Sequence, residues 1–176
     1  MKKYSPLFLP VCFLAVLLIA PIPESHAQST ESETILILVR HAEKADYDTD
    51  DPTLTDEGLK RAQKLADMLE RMQPDLIYST DYKRTRLTVR PIALKHGLEI
   101  RTYNPSKLEP FLSGLLDENS GKTILISGHS NTIPETANLL LGREHFQQNF
   151  DESDYGNLLF ITSSGYGNGT LIHLRY

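Results

Sequence analysis

Cysteine is almost absent from this sequence, with one among 176 residues. That one, Cys12, lies in an apolar N-terminal segment rather than in the body of the chain. Beyond that segment disulfides, thiol catalysis and cysteine-based metal sites are excluded, and packing alone must hold the fold. Runs of basic residues are also missing, and the formal charge is −5. An acidic balance without a basic patch argues against nucleic acid as a partner. No internal repeat or low-complexity tract occurs. No apolar run reaches, uninterrupted, the roughly 18 to 20 residues that a membrane-spanning helix needs.

The first residues read as an address rather than as fold. Lys2 and Lys3 precede the apolar stretch Leu7 to Ala20, Pro21 and Pro23 break it, and Ser25-His26-Ala27 offers a small-x-small cleavage site. The expected organisation is a signal peptide over residues 1–27 and one domain over 28–176. The expected location is secreted or periplasmic, with no membrane contact after cleavage. An uncleaved anchor is the alternative, opposed by Pro10 inside a short apolar core. Cys12 does not end the apolar region, so lipid attachment is not expected. The 149 residues after Ala27 suit a single domain with a sizeable core, and losing Lys2, Lys3 and Glu24 takes the formal charge from −5 to −6.

Thr34 to Val39 is a short run of aliphatic residues, as expected of a strand buried on both faces. Ala45 to Pro52 carries Asp46, Asp48, Asp50 and Asp51 and reads as a solvated loop without the glycine and terminal glutamate of a calcium loop. Thr55 caps a helix whose Leu59, Ala62, Leu65, Ala66 and Leu69 recur at helical spacing, with Pro74 ending the segment. Leu76 to Ser79 is a second strand. Lys83 to His96 is a helix interrupted by Pro91 and stopped by Gly97, and Leu98 to Tyr103 is an edge strand. Asn104 to Gly121 reads as a loop with one helical turn near Phe111 to Leu116. Lys122 to Ser127 is the second core strand, followed by a helix over Pro134 to Leu141. Asn157 to Thr162 and Thr170 to Arg175 form a hairpin around the glycine-rich turn from Ser164 to Gly169. Strands alternating with helices predict an α/β fold, a three-layer sandwich with a largely parallel central sheet and helices on both faces.

Two core strands end in histidines, as Arg40-His41 and Gly128-His129-Ser130. A third ends at Ser79 and leads into Arg84 and Arg86. Strand ends of one open sheet converge on one crevice, so imidazoles and guanidiniums meet there. That set suits phosphoryl chemistry. Guanidiniums bind phosphate oxygens in a fork, and a neutral imidazole can attack phosphorus to give a phosphohistidine that water then hydrolyses.

Arg40-His41-Ala42-Glu43-Lys44 resembles the Arg-His-Gly signature of the histidine phosphatase superfamily, the phosphoglycerate-mutase-like proteins, with Ala42 in place of the glycine. Leu54-Thr55-Asp56-Glu57-Gly58 resembles the family's Leu-Thr-x-x-Gly helix start, Ser79 to Thr88 its Ser-x-x-x-x-Arg-x-x-x-Thr stretch, and Gly128-His129-Ser130 its second histidine motif. The four follow the family order. The resemblance implies that His41 is the nucleophile, with Nδ1–H held by a backbone carbonyl. It implies that Arg40 and Arg84 clamp the phosphoryl oxygens and that His129 is a further donor. Arg84 fits the Arg-x-x-x-Thr spacing better than Arg86. Glu109 stands in the region where mutase-type members carry their general acid. Phytase-like members place an Asp directly after the second histidine, where this chain has Ser130, which points away from that branch. Glu43, Lys44 and Ser130 are candidate pocket residues. No metal or cofactor is implied, and the partner is a phosphorylated small molecule or a phosphoprotein. Hydrolysis is expected rather than mutase activity, because the chain is too short for the extra segments of the mutases.

Two other readings are carried along, and two more fail. Gly128-His129-Ser130-Asn131-Thr132 is one residue short of the nucleophile elbow of a serine hydrolase, in which Ser130 would work with His145 or His173. A phosphate-binding domain of the same fold without turnover would keep the pocket alone. Gly121-Lys122-Thr123 lacks the earlier glycine of a phosphate loop, because position 116 is Leu116. His41, His96, His129, His145 and His173 show no short zinc-ligand spacing.

Overall fold

The computed structural model describes Met1 and residues 32–46 and 49–176. The expected signal peptide and its cleavage site lie outside the described residues. The strands are β1 (Thr34–Arg40), β2 (Leu76–Ser79), β3 (Ile100–Thr102), β4 (Thr123–Gly128), β5 (Asn157–Ser163) and β6 (Thr170–Arg175). The helices are α1 (Asp56–Met68), α2 (Lys83–His96), α3 (Leu108–Glu118) and α4 (Thr132–Leu141). One six-stranded sheet has the order β3-β2-β4-β1-β5-β6. Its first four strands are parallel, and β5 and β6 close it as an antiparallel hairpin.

The alternation of side chains along β1 builds the three layers. Leu36 and Leu38, with Ile124 and Ile126 of β4, pack against Leu112 and Leu115 of α3 and Ile133 and Leu140 of α4. Ile37 and Val39, with Leu125 of β4 and Ile77 of β2, face Leu65 of α1, Leu69 at its C-cap, and Val89 and Ile92 of α2. Both faces of the central strands are therefore dry, which is why residues 35–39 of β1 and 124–126 of β4 are all aliphatic.

Two regions differ from the sequence expectation. α2 runs through Pro91 without interruption. Val89, Ile92 and Ala93 on either side of it are buried in the same core, and this packing holds the helix together across the missing N–H. The supposed loop from Asn104 to Gly121 holds a 3₁₀ turn, Pro105–Lys107, capped by the side chain of Asn104, and then all of α3. Leu108, Leu112, Leu115 and Leu116 form its buried stripe. Pro110 obscured that stripe in the sequence, yet it lies in the first turn, where its missing N–H has no intrahelical partner to lose. α4 starts two residues before the expected Pro134.

Candidate active site

The register of the sheet brings the two histidine motifs side by side. Arg40 pairs with Gly128 at the end of the β1–β4 ladder, and the next residue, His41, donates its backbone N–H to the Gly128 carbonyl at 2.9 Å. Ser79 ends β2 opposite Ser127, so Thr80 and the start of α2 with Arg84 reach the same edge. β5 runs antiparallel to β1, and therefore the segment 151–155 in front of it arrives there too.

His41 is almost completely buried. Its Nδ1 lies 2.8 Å from the carbonyl oxygen of Ala42. A carbonyl only accepts, so Nδ1 carries the hydrogen and the lone pair of the neutral ring is on Nε2. The ring of His129 stands edge-to-face with it, 5.5 Å between centroids. Both rings line a pocket of about 360 Å³ together with Lys44, Tyr82, Arg84, Ser130, Asn131 and Glu152.

The two expected clamp arginines are held in different ways. Arg40 is fully buried. Its Nη1 donates to the carbonyls of Asp151 (2.6 Å) and Asp154 (3.1 Å), its Nη2 to Glu152 (2.8 Å), and its guanidinium lies 4.4 Å from the Tyr155 ring centroid. Arg84 lies over Tyr82 at 4.4 Å and reaches Asp51 only at 3.8 Å. Among the described residues, Arg40 Nε, Arg84 Nε and Arg84 Nη1 are buried without a hydrogen-bond partner. Unmatched cationic donors are costly in a protein interior, and an anion with several acceptor oxygens removes that cost. Arg86 instead reaches Asp81 and the Thr102 hydroxyl.

Residues 36–104 match the model of the histidine phosphatase superfamily, branch 1. The chain is 44% identical over 71 residues to phosphoserine phosphatase 1 of Hydrogenobacter thermophilus, a match covering 37% of this chain and 34% of that protein, so it spans about a third of that relative's length. The fold resembles that of a phosphoserine phosphatase from Entamoeba histolytica (TM-score 0.63, 20% identity, 81% of this chain and 97% of the other). It also resembles a mycobacterial glucosyl-3-phosphoglycerate phosphatase (TM-score 0.65, 14% identity, 82% and 98%). A third similar structure is the protein histidine phosphatase SixA complexed with tungstate (TM-score 0.64, 15% identity, 80% and 96%).

The stretches that resemble the superfamily's motifs have physical reasons in this chain. Thr88 is buried and its hydroxyl accepts the backbone N–H of Ala42 at 2.9 Å, fixing the turn that follows His41. Thr55 caps α1 by accepting the Gly58 N–H, and its own N–H donates to the Glu43 carbonyl. A Cβ at Gly58 would collide with that same Glu43 carbonyl. Ala42 is buried among Leu54, Ala62 and Leu87, where its methyl group fits.

Both imidazoles are held neutral. Burial, opposed by the Ala42 hydrogen bond and reinforced by Arg40, His129 and Arg84, takes His41 down to about 3. Burial, then Arg84 and Arg40, takes His129 down to about 4. A neutral His41 keeps its nucleophilic lone pair at any pH near neutrality.

Of the other expected residues, Lys44 and Ser130 line the pocket. Glu43 forks onto Arg61 instead, at 2.8 and 2.9 Å to Nε. Glu109, the expected acid, lies in the first turn of α3 in a cavity with Lys107 and Glu135 that meets the histidine pocket at Pro105, and it is not among the residues that line that pocket. The Ser130 hydroxyl donates to Glu152 rather than to an imidazole. His173 bonds Asn157 and packs on Phe146 and Phe150, and His145 packs on Phe146, so no serine triad is assembled.

Sequence reasoning missed Glu152, Tyr155 and the pair Thr80 and Thr85. A signal for the first two was available. A hairpin strand antiparallel to β1 must be entered from the end where β1 finishes, which places the acidic segment from Asp151 to Asp154 beside Arg40.

Proposed function

We propose that the chain is an exported phosphatase that hydrolyses phosphate monoesters, or phosphohistidine, through a covalent phosphohistidine on His41. The carrying observation is that, among the described residues, three buried guanidinium nitrogens of Arg40 and Arg84 have no partner, while Arg84 shares a pocket with the neutral imidazole of His41, whose Nε2 has none either. A phosphoryl group fits the donors, and its phosphorus then sits before a nucleophile. The guanidiniums offset the charge that spreads over the equatorial oxygens in the transition state. The names of the relatives, acting on phosphoserine and on protein histidine, support a phosphorylated small molecule or phosphoprotein as substrate. An open cleft of about 770 Å³ adjoins the pocket at Asn131 and offers Pro134, Leu139, Phe146 and Tyr166 to the group that carries the phosphate.

The test uses purified protein in the presence of chelator with 4-nitrophenyl phosphate. Turnover is expected, and His41→Ala is expected to lower kcat by at least about 10³-fold, as loss of a covalent nucleophile does. Full activity in His41→Ala overturns the reading, and tight phosphate binding without any turnover favours the binding domain.

A further inference from the structure

The expected acid Glu109 does not line the pocket, and the carboxylate among the described residues that does, Glu152, is a poor donor. Its hydrogen bond from Ser130, with Arg40 and Lys44 close by, holds it ionised below the usual carboxylate range. The proton for the leaving oxygen must come from another group, and the hydroxyls behind His129 point to it.

Thr80 and Thr85 are fully buried. The single hydroxyl proton of Thr85 is directed at the backbone carbonyls of Thr80 (3.0 Å) and Tyr82 (2.9 Å). Thr85 therefore meets the Thr80 hydroxyl, 3.0 Å away, as an acceptor. Thr80 gives its proton there and has only lone pairs for His129 Nε2, 2.9 Å from its Oγ1. Nε2 must carry a hydrogen, so in the neutral ring the lone pair is on Nδ1. No protein group bonds Nδ1 among the described residues, and the ring it belongs to lines the pocket opposite His41.

We propose that His129, through Nδ1, is the general acid and base of the phosphatase reaction, and that Thr80 and Thr85 are positioning residues that fix its tautomer. This rests on the phosphatase reading above. His129 is faced by Arg84 from α2, Arg40 at the end of β1, Lys44 after it and Glu152 before β5, with the His41 and Tyr82 rings against it. The empty pocket is thus cationic around the ring and disfavours its proton. A bound phosphoryl group cancels that field, and the ring takes up a proton at Nδ1. In the first step Nε2 of His41 bonds to phosphorus, the bond from phosphorus to the ester oxygen breaks with its electron pair on oxygen, and the Nδ1 proton moves to that oxygen. In the second, water attacks phosphorus, its proton passes to Nδ1, and the P–N bond breaks to restore neutral His41.

Two measurements test this. The ¹⁵N imidazole shifts of His129 in the free protein are expected to show a protonated Nε2 and an unprotonated Nδ1; the reverse tautomer overturns the proposal without any variant. Kinetics of Thr80→Val are expected to show a kcat/KM, which reports the first step alone, lower by about 10²-fold on an alkyl phosphate such as glycerol phosphate, where the leaving oxygen needs the proton, and nearly unchanged on 4-nitrophenyl phosphate. Thr80→Ser is expected to restore the alkyl rate. Equal loss on both esters, or no rescue by serine, overturns the proposal while leaving the phosphatase intact. Wild-type protein inert on both esters, or an active His41→Ala, overturns the phosphatase reading and the proposal together.

Discussion

Glu152 is the residue whose position has the sharpest consequence. Its carboxylate sits on Arg40 at 2.8 Å and is itself largely exposed, so it occupies one donor of a guanidinium that a phosphoryl oxygen would use. The carboxylate of this pair stands in water while its guanidinium is buried, and it opposes every anion entering the pocket. Glu152→Gln is therefore expected to bind inorganic phosphate tighter, by a factor of about 2 to 5, in a competitive inhibition assay. Weaker binding would show that Glu152 serves to hold Arg40 in place instead. Little of this network was legible in advance. Arg40, His41, Arg84 and His129 stood out because charged and imidazole side chains at the ends of apolar strands have few structural reasons to be there. Glu152 and Thr80 did not, because an acidic loop and a threonine after a strand are ordinary features until pairing gives them neighbours. Glu109 looked right in sequence distance and proved to belong to another cavity, since spacing along the chain carries no information about which side of α3 it lies on.

At the scale of elements, the site depends on close approaches between backbones. Gly58 lets the start of α1 lie against the Glu43 carbonyl, and that contact fixes the segment leaving His41. Gly58→Ala is expected to cost about 1 to 3 kcal/mol by forcing the two segments apart, read as a lower denaturation midpoint, with a parallel loss of activity. Unchanged stability would show that the contact yields easily. The elements themselves were mostly readable. β1, β4, the start of α1 and the β5–β6 hairpin were found within a residue or two, because burial on two faces and helical spacing leave strong patterns, whereas α1 ends at Met68, well before the expected stop at Pro74. α3 was not, since prolines and Gly114 interrupt its apolar stripe and only packing against the sheet completes it. Pro91 misled for the same reason: tertiary contacts on both sides outweigh a local break.

For the molecule as a whole, the neutral imidazoles couple the site to stability. In the unfolded chain each titrates near 6.5, whereas in the fold His41 stays neutral to about 3 and His129 to about 4. Below pH 6.5 the unfolded state binds more protons, so stability falls with pH until both folded groups are protonated. Asp154, lowered to about 2 chiefly by its hydrogen bond from Arg175, acts in the same direction. Its contribution is present above the unfolded value and lost as pH drops toward the folded one. Tm is expected to decline steadily from pH 6.5 toward 4, and less steeply in His129→Gln. A flat Tm over that interval would mean that the rings are not held neutral by burial and the two arginines.

The central claim is the covalent bond at His41. The most direct measurement is to mix the protein with a phosphomonoester, quench it in base, and map the modification by mass spectrometry. One phosphoryl group is expected on the peptide containing His41, stable in base, lost in acid and absent from His41→Ala. A phosphoryl group on a serine, or turnover without any phosphorylated histidine in a protein whose His41→Ala variant remains active, would contradict the account.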